Sequence, residues 1–303
     1  MLILVNWVNT AILSAAIMGV VNIIDSHLLS KRMPGLRAFL LPVAIVHLIY
    51  GYLLFTLFPL SEGTSIWPVL AAVVSGTLRT AAVIIMLDSL QREEVSQVIP
   101  VVYTYPIFVA IMAVPLLGEA LNYLEWLAIV IVVAGAVMVS VKQSPSGSTG
   151  LRGKLLLLFG SSLLFAVADI AGKYALAFIS FWNMFWLTAF CMSGIFLLVS
   201  VRPRVIRQLI NMERRNSALG LLAFNETLAP AGIVLIFWVL ERGPVSLVST
   251  IVSSRPMFVL MFAFILSRLS PTFVGWDSGK GILALRLIAT AMIVGGITII
   301  HLT

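Results

Sequence analysis

Five charged residues stand inside long apolar runs: Arg79, Asp169, Lys173, Glu226 and Arg255. An ionised side chain near the centre of a bilayer costs about 2.5–3.5 kcal/mol on insertion scales, so it must face protein or water and find a partner. Arg79 lies near the middle of one run and Glu226 inside another. Two chemistries fit. In a central site, Arg79 would hold an anionic group and Glu226 an amine or a coupling proton. Alternatively, the two form a structural ion pair that closes on itself. Asp169 and Lys173 are four apart, so they share one face of a helix and can pair internally. They could equally line a cavity, and Lys173 is near enough to the end of its run to snorkel. Asn22 and Asp25 are their rough counterparts near the start of the chain, with Asp25 read as a solvated helix end.

Arg255 directly precedes Pro256, as Tyr105 precedes Pro106. Proline lacks an N–H and bends a helix, leaving a carbonyl free. A freed carbonyl at mid-depth can bind a solute or ion, or the kink can simply serve packing. Tyr103 and Tyr105 would add an aromatic, hydroxyl-bearing wall there. The three histidines, His27, His47 and His301, are scattered without metal spacing, and Cys191 is the only cysteine. No metal site, no cofactor, no Ser-His-Asp arrangement and no Walker loop is expected, so the chain reads as a non-enzyme.

The elements that must position these groups follow from composition. Of 303 residues, 61% are hydrophobic and 10% charged, with mean hydropathy +1.11. A soluble domain of this length needs more charge to cover its surface. Ten apolar segments span about 4–30, 37–59, 67–90, 95–117, 121–141, 154–178, 181–201, 218–240, 245–267 and 282–302. Each approaches the roughly 20 residues that cross a bilayer. In lipid, a segment must satisfy its own backbone, which means helix. The expectation is an all-α polytopic membrane protein with ten transmembrane helices. The first segment has no basic region before it and no cleavage signal, so it reads as a retained helix.

The net charge of +7 does not point to nucleic acid, because 15 of the 19 Lys and Arg lie in or beside alternate loops, those after odd-numbered helices. The positive-inside bias puts those odd-numbered loops in the cytoplasm and both termini outside. The polar, Ser- and Gly-rich stretch 142–153 reads as a linker at the midpoint. It divides a first five-helix repeat, 1–141, from a second, 154–303. Shifting the chain by 150 sets Val95–Glu119 on Val245–Leu269 with nine of 25 positions identical, Pro106 on Pro256 among them. A shift of 147 puts Asn22 opposite Asp169. Two halves with five spans each must cross in opposite senses, the inverted repeat common among secondary transporters.

Val95–Ser140 carries a helix with central Pro106, a Gly118–Glu119 turn, then a helix with a late Ala134–Gly135; the second half repeats Pro256 and the late Gly295–Gly296. These features resemble the drug/metabolite transporter superfamily, EamA-like family, over nearly the whole chain. Two departures stand out. Arg268–Leu269 occupies the position of the Gly-Glu turn in the second half. The charge bias also runs opposite to the family's usual orientation. The resemblance implies solute transport, often export, by alternating access around a central cavity.

Three basic and two acidic residues in the spans suggest an anionic or zwitterionic small metabolite such as an amino acid. The expected site comprises Arg79, Glu226, Arg255, Tyr103, Tyr105, Asp169, Lys173 and Asn22, with protons as a candidate coupling ion. The expected setting is a cell (plasma or inner) membrane, and the partners are the lipid bilayer and the solute. Small-residue pairs such as Ala168/Gly172 and Ala291/Gly295 would serve a homodimer or packing within the chain alike. The rival readings are a flippase for a lipid-linked anion, and a membrane-embedded enzyme or receptor without transport.

Overall fold

The computed structural model describes residues 6–92, 98, 101–140, 151–269 and 280–303. Most of the expected linker lies outside the described residues. Among those described, the chain is helix, turn and bend without a strand. The helices are α1 (Trp7–His27), continued by a π-helical turn at Leu28–Arg32, α2 (Leu36–Leu57), α3 (Ile66–Arg92), α4 (Tyr105–Leu117) and α5 (Tyr123–Ser140) in the first half. The second half holds α6 (Leu151–Leu176), α7 (Phe181–Ser200), α8 (Pro203–Ile210), α9 (Arg215–Arg242), α10 (Val245–Val252), α11 (Arg255–Leu269) and α12 (Lys280–Leu302).

Among the described residues, eight helices, counting α10 and α11 as one stretch, are long and apolar enough to cross a membrane; α4 and α5 are shorter apolar helices. Their surfaces say what surrounds them. The stretch Ile66–Ser89 is long and largely apolar, yet only 28% of its most apolar window is buried. Leu53, Trp67, Leu198 and Leu302 are among many large apolar side chains left outward. A water-soluble monomer rarely leaves so much apolar surface open; hydrocarbon accepts it.

The helices pair in a pattern that is preserved when the halves are exchanged. α1 packs on α9 as α6 packs on α3, while α2 packs on α7, α5 on α12 and α4 on α10. Side chains repeat the relation. Ser161 on α6 donates to the Ala82 carbonyl on α3 at 3.0 Å, and Ser14 on α1 donates to the Gly232 carbonyl on α9 at 3.0 Å. The α5–α12 contact is also made twice. A Cβ on Gly135 would come within 2.8 Å of the Ala289 carbonyl oxygen, and one on Gly296 within 2.5 Å of Val132 Cγ2. The late glycines let two helix backbones approach where any side chain would part them. Gly295, one residue away, meets nothing within 4 Å. Of the small-residue pairs, Ala168/Gly172 lies inside the chain, facing Ser75 of α3.

Two expectations change. The segments 95–117 and 245–267 are not single helices kinked at proline. Each is broken, at Tyr103–Thr104 and Ser253–Ser254, and Pro106 and Pro256 occupy the second position of the helix that restarts. A residue before proline is disfavoured in helical conformation, whereas the first turn of a helix has no use for proline's missing N–H. Hydroxyls stabilise each break: Thr104 donates to the Val101 carbonyl at 2.7 Å and Ser253 to that of Thr250 at 2.7 Å. The second change is α8, in a stretch read as loop. Pro203 starts it, Val205 faces inward, and Arg204 and Arg207 face out.

Candidate functional site

A cavity of about 1210 Å3 lies between the halves. Most of its wall comes from α1, α2, α3, α9 and α11, with Tyr103 at the first helix break and Tyr105 at the start of α4. It extends to Ser30–Gly35, the connection between α1 and α2. Six of the eight expected site residues line it: Asn22, Arg79, Tyr103, Tyr105, Glu226 and Arg255. Asp169 and Lys173 are not among the lining residues.

Asp169 stands behind Arg79. The guanidinium Nη2 donates to Asp169 Oδ1 at 2.6 Å, and Ser249 donates to Oδ2 at 2.6 Å. Register explains the partnership. Ser75 binds the Ala168 carbonyl at 2.7 Å, locking α3 to α6 one turn from the ion pair. The aromatic ring of Phe237 lies 5.7 Å from the guanidinium carbon. Arg79 therefore does not pair with Glu226, and Asp169 does not pair with Lys173. With both carboxylate oxygens engaged, Asp169 orients Arg79, whose Nε is buried without a hydrogen-bond partner. Lys173 turns the other way. Its ammonium donates to the carbonyls of Leu240 and Gly243 at 2.7 and 2.9 Å. A cation at the carboxyl end of a helix satisfies orphan carbonyls and the helix dipole together, so this lysine joins α6 to the end of α9.

Arg255 opens α11, just past the second break, and brings its charge beside the Tyr103 hydroxyl. Asn22 donates to the same hydroxyl at 3.4 Å. Tyr105 donates to the Ser249 carbonyl at 3.3 Å, one turn before the break. The two breaks thus meet across the cavity, one supplying tyrosines and the other an arginine whose Nε has no hydrogen-bond partner.

The wall around Glu226 holds residues that the sequence did not single out. His47 Nδ1 lies 3.5 Å from Glu226 Oε2 and 3.0 Å from the Val43 carbonyl. Asn225 donates to Asp25 at 2.7 Å. Asp25 is a cavity residue rather than a solvated helix end. Glu226 Oε2 and His47 Nε2 are buried without a hydrogen-bond partner. A polar residue inside an apolar run was the available signal for His47 and Asn225. What no local pattern supplies is that α1, α2 and α9 bring them together.

Polar contacts tie the helices together at the end of the bundle opposite the α1–α2 connection. Gly118 ends α4 in the left-handed conformation, φ 69°, and delivers Glu119 to the start of α10. Its carboxylate accepts from the Val245 amide, from the Ser246 amide at 3.3 Å and from the Ser246 hydroxyl. A carboxylate on orphan amides is an N-cap supplied from another helix. The Gly118–Glu119 turn is thus a latch, with the Lys173 contacts beside it. On the adjacent connection, Asn183 and Trp186 donate to the Phe58 carbonyl at 2.8 and 3.1 Å.

One solved crystal structure, titled only "Crystal structure of protein", superimposes with a TM-score of 0.68 over 98% of this chain and 95% of its own. At 20% identity that likeness is one of fold. Among proteins of curated function, none matches this chain in sequence. The family model of the EamA-like transporters matches residues 5–141 and again 152–301. Two consecutive matches spanning almost all of an apolar, helix-paired chain leave one assignment: it belongs to the EamA-like transporter family.

Proposed function

We propose that this membrane transporter carries a small zwitterionic or anionic metabolite by alternating access, using ten spans in two inverted repeats. The ten are the eight long stretches plus α4 and α5, which lie between long spans and are as apolar as they are. One observation carries the solute class. Among the buried polar atoms without hydrogen-bond partners are some that belong to opposite charges: Nε of Arg79 and Arg255, and Oε2 of Glu226. All three residues line one cavity. Buried polar groups are normally paired, so groups of both signs left waiting in a cavity suit a solute carrying both. Arg79 and Arg255 would take its anionic end. Glu226, backed by His47, would take an amine or exchange a proton. Tyr103, Tyr105 and Asn22 would set its orientation.

The Glu119 and Lys173 contacts close one end, and the breaks in the fourth and ninth segments supply hinges. Opening that end means releasing the Val245 and Ser246 amides. The cavity reaches toward the odd-numbered loops, where Lys and Arg concentrate. The positive-inside bias makes that side cytoplasmic, and loading from the cytoplasm suits export.

The test is thermal stability of the purified protein with amino acids, organic anions, sugar phosphates and organic cations. A ligand of the folded state raises apparent stability by mass action. The expected result is a rise with an amino acid or organic anion that disappears in Arg255→Gln and persists in Arg204→Gln, outside the cavity. A rise with lipophilic cations alone would overturn the reading.

A further inference from the structure

A second recess of about 1270 Å3 opens beside the cavity. Five basic side chains line it, Lys31 and Arg32 from the α1–α2 connection and Arg204, Arg207 and Arg214 from α8 and the turn that follows, against one acidic side chain, Glu213. Lys31, Arg204, Arg207 and Arg214 are exposed, and none of them forms an ion pair among the described residues. The depth of the recess follows from the chain. α8 begins three residues after the spanning helix that ends at Ser200, and Lys31–Arg32 terminate the first span. The recess therefore lies where a spanning helix meets water, the level of lipid headgroups.

α8 is built for that level. Val205 packs inward, while Ile206 and Ile210 stay exposed next to Arg204 and Arg207. In water those isoleucines would gain nothing by exposure. At a membrane surface they enter the acyl boundary while the arginines reach phosphate. We infer that this recess binds the phosphate headgroup of an anionic phospholipid, held between Lys31–Arg32 and Arg204, Arg207 and Arg214. A soluble phosphate has the same charge but makes no use of Ile206 and Ile210, so the surface is assigned to lipid. Ser30, Lys31, Met33 and Pro34 line the recess on one side and the transport cavity on the other. A bound headgroup would therefore brace the rim of the cavity.

The experiment follows the melting temperature of the full chain in detergent as phosphatidylglycerol or phosphatidylcholine is added, with glycerol phosphate as the soluble control. Phosphatidylglycerol is expected to raise the melting temperature, and the other two are not. In R204Q/R207Q the apparent affinity for phosphatidylglycerol should fall about thirtyfold, from the usual contribution of two surface basic residues at an anionic membrane. If that variant does not melt cooperatively, Lys31→Gln on the facing wall carries the test, with about a fivefold loss. Equal responses of wild type and variants to phosphatidylglycerol would overturn the assignment. So would a matching rise with glycerol phosphate, which would make the ligand a soluble anion.

Discussion

Arg79 and Glu226 both stand inside the bundle, Arg79 half-buried and Glu226 buried, but they differ in what they leave unfilled. Arg79 is committed to Asp169, which is itself committed to Ser249. Removing one partner of a buried ion pair strands the other charge, typically at about 3–5 kcal/mol. Arg79→Gln should therefore lower the melting temperature strongly with or without ligand. Ser249→Ala removes one hydrogen bond to a charged group, about 1.5–3 kcal/mol, and should do the same more mildly. Glu226→Gln keeps shape and is expected to fold with a near-normal melting temperature while losing stabilisation by an amine-bearing ligand. Equal damage from Arg79→Gln and Glu226→Gln in the ligand-free protein would contradict this division. None of these partnerships was written locally. Asp169 and Lys173 have the spacing for an ion pair within one helix, yet Asp169 lies 90 positions from its partner and is chosen by the register of α3 on α6. The types of the site residues were legible; their pairing was a property of packing.

The helices themselves were legible because hydrocarbon thickness dictates run length. The breaks were half legible: Pro106 and Pro256 marked the places, but a lone proline reads as a kink. The restart needed Thr104 and Ser253 to hold the preceding turn. α8 escaped notice because eight residues with three arginines in or beside them resemble a loop, and only the inward Val205 and outward Ile206 and Ile210 betray its two faces. Two predictions belong to this scale. Gly296→Val introduces atoms where Val132 already stands, and overpacking of this kind costs about 1–3 kcal/mol; Gly295→Val, facing open space, should melt near wild type. Glu119→Ala removes the cap on α10, at about 0.5–2 kcal/mol. Hydrogen exchange at Val245 and Ser246 should then accelerate while that of the α5–α12 pair stays unchanged. Uniform acceleration across the bundle would mean that Glu119 stabilises the fold rather than one end of it.

For the whole molecule, the pairing of α1 with α9 and of α6 with α3 expresses in packing the relation that nine matching positions express in sequence. Orientation rests on a different signal, the distribution of Lys and Arg. A reporter active only in the cytoplasm should be silent at the C-terminus and active when inserted near Arg214; the reverse would turn the molecule over in the membrane. The two-fold relation is incomplete at one place. Glu119 caps α10, but the position that repeats Glu119 in the second half is Leu269, which has no carboxylate to offer. On the alternating-access reading proposed above, the Glu119 clasp favours one closure and would bias an idle molecule toward the state open at the basic end. Such an imbalance cannot set the net direction of flow, which belongs to the gradients. It does make the two faces unequal as receptors. A solute arriving at the clasped face meets a competent carrier only in the small fraction that is unclasped, and its apparent affinity falls by that fraction, tenfold for each 1.4 kcal/mol the clasp contributes. Substitution of Glu119 should thus narrow the gap between half-saturating concentrations measured from the two sides, chiefly by improving the weaker one.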